Sequence, residues 1–330
     1  MAETSQRPLN PDDSLPPVEP PSAAFLVQLF LVPGLIVAII VCVWLAFHWL
    51  AHLGNDPQAY VRTLRRANEG RWQAALNLAN DLRGPGGGRL KSDTDLASEL
   101  GSILDDEVAS GRTGEQSQTL RLYLCRALGE FTVPEAAAPL VRRVTADGDS
   151  ETTQAAVEAI AVLATNLDEA GRSLADRKSV VRAVVQAAAS ADTNVRNACG
   201  FTLGVLGGDA SVDALLRLAA DNNADVRANA ALGLARLGRS EAYEPLAELL
   251  ATPDVEMTAD PSDEEQSQRY KRVLMVVNAL RGIAVLIDAT GEQPPGVVTK
   301  QMEKLRSDKV AEVRSSAAAM FKKIDRLATE

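Results

Sequence analysis

Apolar positions along this chain follow two patterns: one unbroken run near the start and, after it, a spacing that returns six times. The run covers residues 23–50, and no Asp, Glu, Lys or Arg stands between Pro20 and Asn55. A helix rises about 1.5 Å per residue and a bilayer's hydrocarbon core is about 30 Å thick, so roughly 20 residues suffice to cross it. A single transmembrane helix over 23–52 is therefore predicted. Gln28 and the Pro33-Gly34 pair point to a kink or late start, which membrane helices tolerate. Trp44, His48, Trp49 and His52 gather at the far end, where amphipathic rings mark a membrane interface. A cleaved signal peptide is one alternative, but it would have a short basic leader and an apolar core of only about 7–15 residues. A buried helix of a soluble fold is the other.

The second pattern is helical. Apolar or small residues at i, i+4, i+7, i+8 and i+11 occur at Leu120, Leu124, Ala127, Leu128 and Phe131, and again at Val195, Cys199, Thr202, Leu203 and Leu206. The same template fits Val226, Ala230, Gly233, Leu234 and Leu237, and Val313, Ala317, Met320, Phe321 and Ile324. Weaker copies are Ala156, Ala159, Ile160 and Leu163 after Thr152, and Val276, Ala279, Leu280 and Ile283. Between them lie second helices with apolar rows of their own, such as Val181, Val184, Val185 and Ala188. Hairpins that are apolar on more than one side must be covered by their neighbours, which is the logic of a helical solenoid. The reading is all-α: an α-solenoid of about six hairpins over 117–330, preceded by a transmembrane helix and a disordered N-terminal tail.

The remaining segments divide the chain further. Residues 1–22 are Pro-rich and acidic and cannot bury enough apolar surface to order themselves. Residues 56–83 read as one helical hairpin of tetratricopeptide-like size, with Tyr60, Leu64 and Ala67 on one face and a turn at Glu69-Gly70. Residues 84–116 read as a Gly-rich flexible linker and one helix, since no strand precedes the glycines and no Lys-Ser or Lys-Thr comes after them in phosphate-binding register. Inserts are expected at 166–178 and 253–267, either as solvated loops or, for the acidic second one, as a docking segment for a basic partner.

The repeats resemble the HEAT family. Asn194-Val195-Arg196, Asp225-Val226-Arg227 and Glu312-Val313-Arg314 look like its acidic-Val-Arg turn, and the segments at 203–207 and 232–238 like its Leu-Gly continuation. The resemblance implies that Arg196, Arg227 and Arg314 tie neighbouring repeats through acidic partners such as Asp192 and Asp225. It also implies a binding surface on the concave face lined by second helices, where Arg142, Arg143, Arg182, Gln186, Arg217, Glu248, Lys300 and Lys304 stand off the apolar rows. A family of this architecture serves many tasks, so the fold alone does not give the function.

Charge and chemistry narrow the classes. A net charge of −10 argues against nucleic acid, whose backbone is bound by Lys and Arg. The chain has two histidines, both at the end of the apolar run, and no H-E-x-x-H, G-x-S-x-G or P-loop spacing. Cys42, Cys125 and Cys199 have no C-x-x-C spacing and read as small apolar residues. No enzyme, metal or cofactor is therefore expected. The expected function is a membrane-tethered scaffold whose partners are a protein and the lipid bilayer. An accessory of the chromophore-attaching lyase type and a structural part of a membrane complex are the alternatives. Arg62, Arg65, Arg66 and Arg71 after the span, against Arg7 alone before it, place the array in the cytoplasm by the positive-inside rule.

Overall fold

A computed structural model describes residues 23–52, 57–66, 70–146 and 148–327. The tail at 1–22, Ala67, Glu69 and the side chains of His48, Trp49 and His52 lie outside the described residues. The chain divides into two units between Asn55 and Asp56.

The first unit is α1 (Ala23–His52), a helix that runs through Pro33 without a break. Its apolar side chains are uncovered within the unit: Phe30, Trp44 and Phe47 are 74%, 62% and 68% exposed.

In the second unit every regular element among the described residues is helical. Two layers alternate along the chain. The A layer contains α3 (Arg71–Arg83), α6 (Glu115–Gly129), α8 (Ser150–Glu169), α10 (Thr193–Leu206), α12 (Ala224–Arg236), α14 (Asp263–Thr290) and α16 (Ala311–Leu327). The B layer contains α2 (Pro57–Arg65), α5 (Thr94–Ala109), α7 (Ala137–Thr145), α9 (Arg177–Ala187), α11 (Asp209–Leu218), α13 (Tyr243–Leu250) and α15 (Gly296–Leu305), and α4 (Gly88–Lys91) is a single turn. Each A helix packs on the A helices before and after it, which makes the unit an α-solenoid. The six recurrences of the apolar template are α6, α8, α10, α12, α14 and α16. Their template residues line one continuous core that runs from Val61 to Ile324, with Leu237 and Phe321 only half-buried. Glycine sets how closely the A helices approach: a Cβ on Gly204 of α10 would stand 2.5 Å from Gly233 Cα of α12.

Residues 57–109 belong to the same core: the expected hairpin is α2 and α3 and the expected single helix is α5, while the stretch expected to be a flexible linker is ordered. Leu96, Ala97, Leu100, Ile103 and Leu104 of α5 are buried in it. The glycines of 84–88 form an ordered turn, with Gly84 N–H bonded to Asn80 O at 2.9 Å, and Gly87 so close to Leu82 O that a Cβ would fall at 2.3 Å. Arg83 and Lys91 then clamp Glu130, at 2.6 and 3.8 Å, and Thr132 N–H donates to Lys91 O. The glycines are there because the backbone doubles back against α3, and not for flexibility.

The inserts are structured as well. Residues 166–169 are the last turn of α8, whose Leu167 is buried, and Asn166 Nδ2 donates to Gly129 O at 3.1 Å. Leu174 is buried and Arg172 reaches Thr132 O at 2.9 Å, so this segment braces two repeats. In the second insert the chain is irregular only to Ser262, where a capping box of Ser262 and Glu265 starts α14 about three and a half turns before Val276, where its apolar template begins. Asp254 faces Arg269 and Arg272 at 3.7 and 3.6 Å. Part of the acidic insert is thereby neutralised from within the chain.

Candidate partner-binding surface

Arginines in the first turn of the A helices organise the interior edge of the array. Arg196 Nη1 donates to Ser190 O and Ala191 O, Arg227 Nη1 to Asp221 O and Asn222 O, and Arg314 Nη1 to Asp308 O and Lys309 O. Each satisfies carbonyls of the loop that leads from the preceding B helix into its own A helix, at Ser190-Ala191, Asp221-Asn222 and Asp308-Lys309. Arg71, Arg121 and Arg272 act alike on Leu64 O, Arg112 O and Thr252 O. The free edge of the guanidinium then meets an acid further along the chain. Arg196 pairs with Asp221 at 2.8 Å, Arg272 with Asp308 at 2.6 Å, Arg71 with Glu107 at 2.7 Å and Arg121 with Asp149 at 3.2 Å.

These are not the partners expected from the repeat signature. Asp192 caps α10 by accepting from the N–H groups of Asn194 and Val195, at 2.8 and 3.3 Å, and those bonds hold its carboxyl below the usual range. Asp225 instead binds Lys271 of α14 at 2.8 Å. The Arg196 hydrogen bond is the main reason Asp221 titrates below the ordinary carboxylate value. For Asp308 and Glu107, burial pushes the pKa up, but hydrogen bonds from Arg272 to the one and from Ser117, Arg71 and Arg112 to the other outweigh it. The signal available in sequence was the acid near the end of the following B helix; of the acids beside the arginines Asp192 caps α10, whereas α12 is capped by Asn223.

The expected surface residues all stand on B helices: Arg142 and Arg143 on α7, Arg182 and Gln186 on α9, Arg217 on α11, Glu248 on α13, Lys300 and Lys304 on α15. Seven are exposed. Arg143 is a correction: it is 5% exposed because its guanidinium lies over Gly148, whose missing side chain leaves the space, and it reaches Ala146 O. Arg142 binds Asp105 of α5 at 2.6 Å and Glu248 lies 3.9 Å from Arg227, so both have carboxylate or guanidinium partners within the array.

One groove on this surface is apolar-floored and open. It lies between α9 and the start of α11, holds about 640 Å³, and is lined by Val181, Val185, Leu206 and Ala210 with Lys178 and Arg182. Arg177, at its edge, is tied to Leu206 O by Nε at 2.9 Å. Further along α9, Gln186 lines a smaller pocket with Thr145, Ser150 and Thr153. Cys125 and Cys199 are buried core residues whose thiols burial pushes up to about 12, far from a nucleophilic thiolate. Among the described residues no group of three His, Cys, Asp or Glu side chains is placed to hold a metal ion.

A family model described as HEAT repeats matches residues 181–260, from α9 past α13. No curated protein matches the sequence. Similar solved structures include the CpcE and CpcF complex of phycocyanin lyase from Nostoc sp., at 15% identity over 82% of this chain and 94% of that one, with a TM-score of 0.47. A designed armadillo repeat protein in complex with a (KR)4 peptide is 17% identical over 81% and 98%, at 0.36. Human deoxyhypusine hydroxylase in complex with glycerol is 18% identical over 82% and 96%, at 0.32. Likeness at this level concerns the fold alone. The described array is an all-α solenoid that carries HEAT-like repeats.

Proposed function

We propose that this protein is a membrane-tethered, non-catalytic scaffold that binds a protein partner on the B-helix surface of its solenoid. One observation carries the reading. The array commits its first-turn arginines to internal carbonyls and acids, whereas Lys178, Arg182, Arg217, Lys300 and Lys304 stand exposed on α9, α11 and α15 with no ion pair among the described residues. A rigid surface with uncommitted polar groups is what a repeat protein offers a partner. The exposed apolar α1 supports the tether, because holding the array at a bilayer raises its effective concentration there and lets a modest interface suffice. Arg62, Arg65 and Arg66 close behind α1 support a cytoplasmic array.

Cross-linking the full chain in its native membranes, with mass-spectrometric mapping of the linked sites, tests this. The expected result is a recurrent protein neighbour linked through Lys178, Lys300 or Lys304. Links only within the chain would overturn the scaffold reading.

A further inference from the structure

We propose that the groove between α9 and α11 docks a helical protein segment that presents apolar side chains flanked by carboxylates; this deepens the scaffold reading and rests on it. Three observations converge. The floor is apolar, made by Val181 and Val185 of α9 with Leu206 and Ala210 across from them. Gly207 and Gly208, at φ 66° and 88°, turn the chain from α10 into α11 along its edge, and a Cβ on Gly208 would meet nothing within 4 Å. Its volume, about 640 Å³, lies in the range of roughly 300–1,000 Å³ typical of binding pockets.

The rim supplies the charge. Lys178 and Arg182 are four residues apart on one face of α9, both exposed, and neither makes an ion pair among the described residues. Like charges at that spacing oppose helix formation, so they weaken α9 unless something neutralises them. Other cations of the array have such a partner, Arg142 in Asp105, Arg196 in Asp221 and Lys271 in Asp225, whereas Lys178 and Arg182, like Lys300 and Lys304 of α15, have none among the described residues. Asp209 is the groove's one acidic lining residue and forms no ion pair with either cation. In a chain of net charge −10, an uncompensated cationic pair beside an apolar floor selects an acidic and amphipathic ligand. Two cations one helical turn apart match two carboxylates one turn apart on a partner helix, and an open groove suits the i, i+3, i+4 anchors of such a helix.

The test uses the full chain in detergent and fluorescein-labelled helical peptides that share one Leu face and differ only in whether Glu, Lys or Ser flanks it. Fluorescence anisotropy should show the Glu peptide binding roughly tenfold tighter than the Lys peptide, as expected when two rim ion pairs are at stake. The double variant K178E/R182E should reverse that order, and Val185→Asp should weaken every peptide, with helical content and melting temperature checked for each variant. Equal binding of the three peptides, or an order that K178E/R182E leaves unchanged, overturns the proposal. So does binding of dihexanoyl phosphatidylglycerol through Lys178 and Arg182 without binding of the Glu peptide, since the groove is then a lipid site. If K178E/R182E still cross-links to the wild-type neighbours in membranes while the peptide preference is absent, the groove fails and the scaffold reading stands. A wild-type chain without neighbours fails the scaffold reading itself.

Discussion

Two helices of this chain, α1 and α14, are long and apolar enough to cross a bilayer, and they meet water in opposite ways. Along α1 the described apolar side chains are exposed in every direction, from Phe30 through Ile36 and Ile40 to Phe47. On α14 the buried apolar residues lie on the side that faces α12, α13 and α16, where Val276, Leu280 and Ile283 are at most 2% exposed, while Leu274 and Val285 are exposed alongside Lys271, Arg281 and Asp288. Both pass as spans on length and hydropathy, although α1 is the more apolar; the distribution of charge around the helix separates them. A helix apolar all round needs lipid or a surrounding core, and a helix apolar on one stripe needs only neighbours.

The largest effect should come from the charge that α14 buries. Replacing Arg272 with Met leaves Asp308 buried without its partner, a loss expected to cost about 3–5 kcal/mol in chemical denaturation. The same pair predicts acid sensitivity. Asp308 titrates lower in the fold than in the unfolded chain, so its contribution is complete above the ordinary carboxylate pKa of about 4 and is lost as pH falls through the lower folded value. Unfolding followed against pH should show a shallower acid limb in Arg272→Met than in wild type.

Next comes charge placed on α1. Ile40→Arg should cost roughly 2.5–3.5 kcal/mol of insertion free energy and shift the chain out of the membrane pellet, leaving the solenoid's melting temperature in place. A lowered melting temperature would mean that α1 packs on protein. Glycines give a matched pair of smaller effects. Gly204→Ala drives a methyl into Gly233 and should cost about 1–3 kcal/mol of solenoid stability, whereas Gly34→Ala on α1, with nothing within 4 Å, should leave that stability unchanged. Smallest is Asp192→Ala, which removes the cap of α10 for about 1 kcal/mol, read as a modest drop in denaturation midpoint.

Periodicity in the sequence was enough to find the A layer, because six helices repeat one apolar template and burial tracks that template. It was not enough for α3 and α5. Each occurs as a single copy without the acidic-Val-Arg turn, and their link to the array runs through Arg71, Glu107, Arg83 and Glu130, residues far apart in sequence. The B-helix surface was legible for the same reason as the core, since residues off the apolar row face solvent. Arg143 departs from that rule because Gly148, just past the end of α7, lets its side chain fold inward. The choice between Asp192 and Asp221 as the partner of Arg196 depended on the distance between successive hairpins, which a linear spacing does not contain.

In the proposed function α1 holds the solenoid at a bilayer. Alkaline carbonate extraction of membranes that contain the full chain, with intact-mass analysis of both fractions, tests it most directly. The chain should stay in the membrane pellet with α1 attached. Release into the supernatant, or a mature chain that begins after His52, would contradict it.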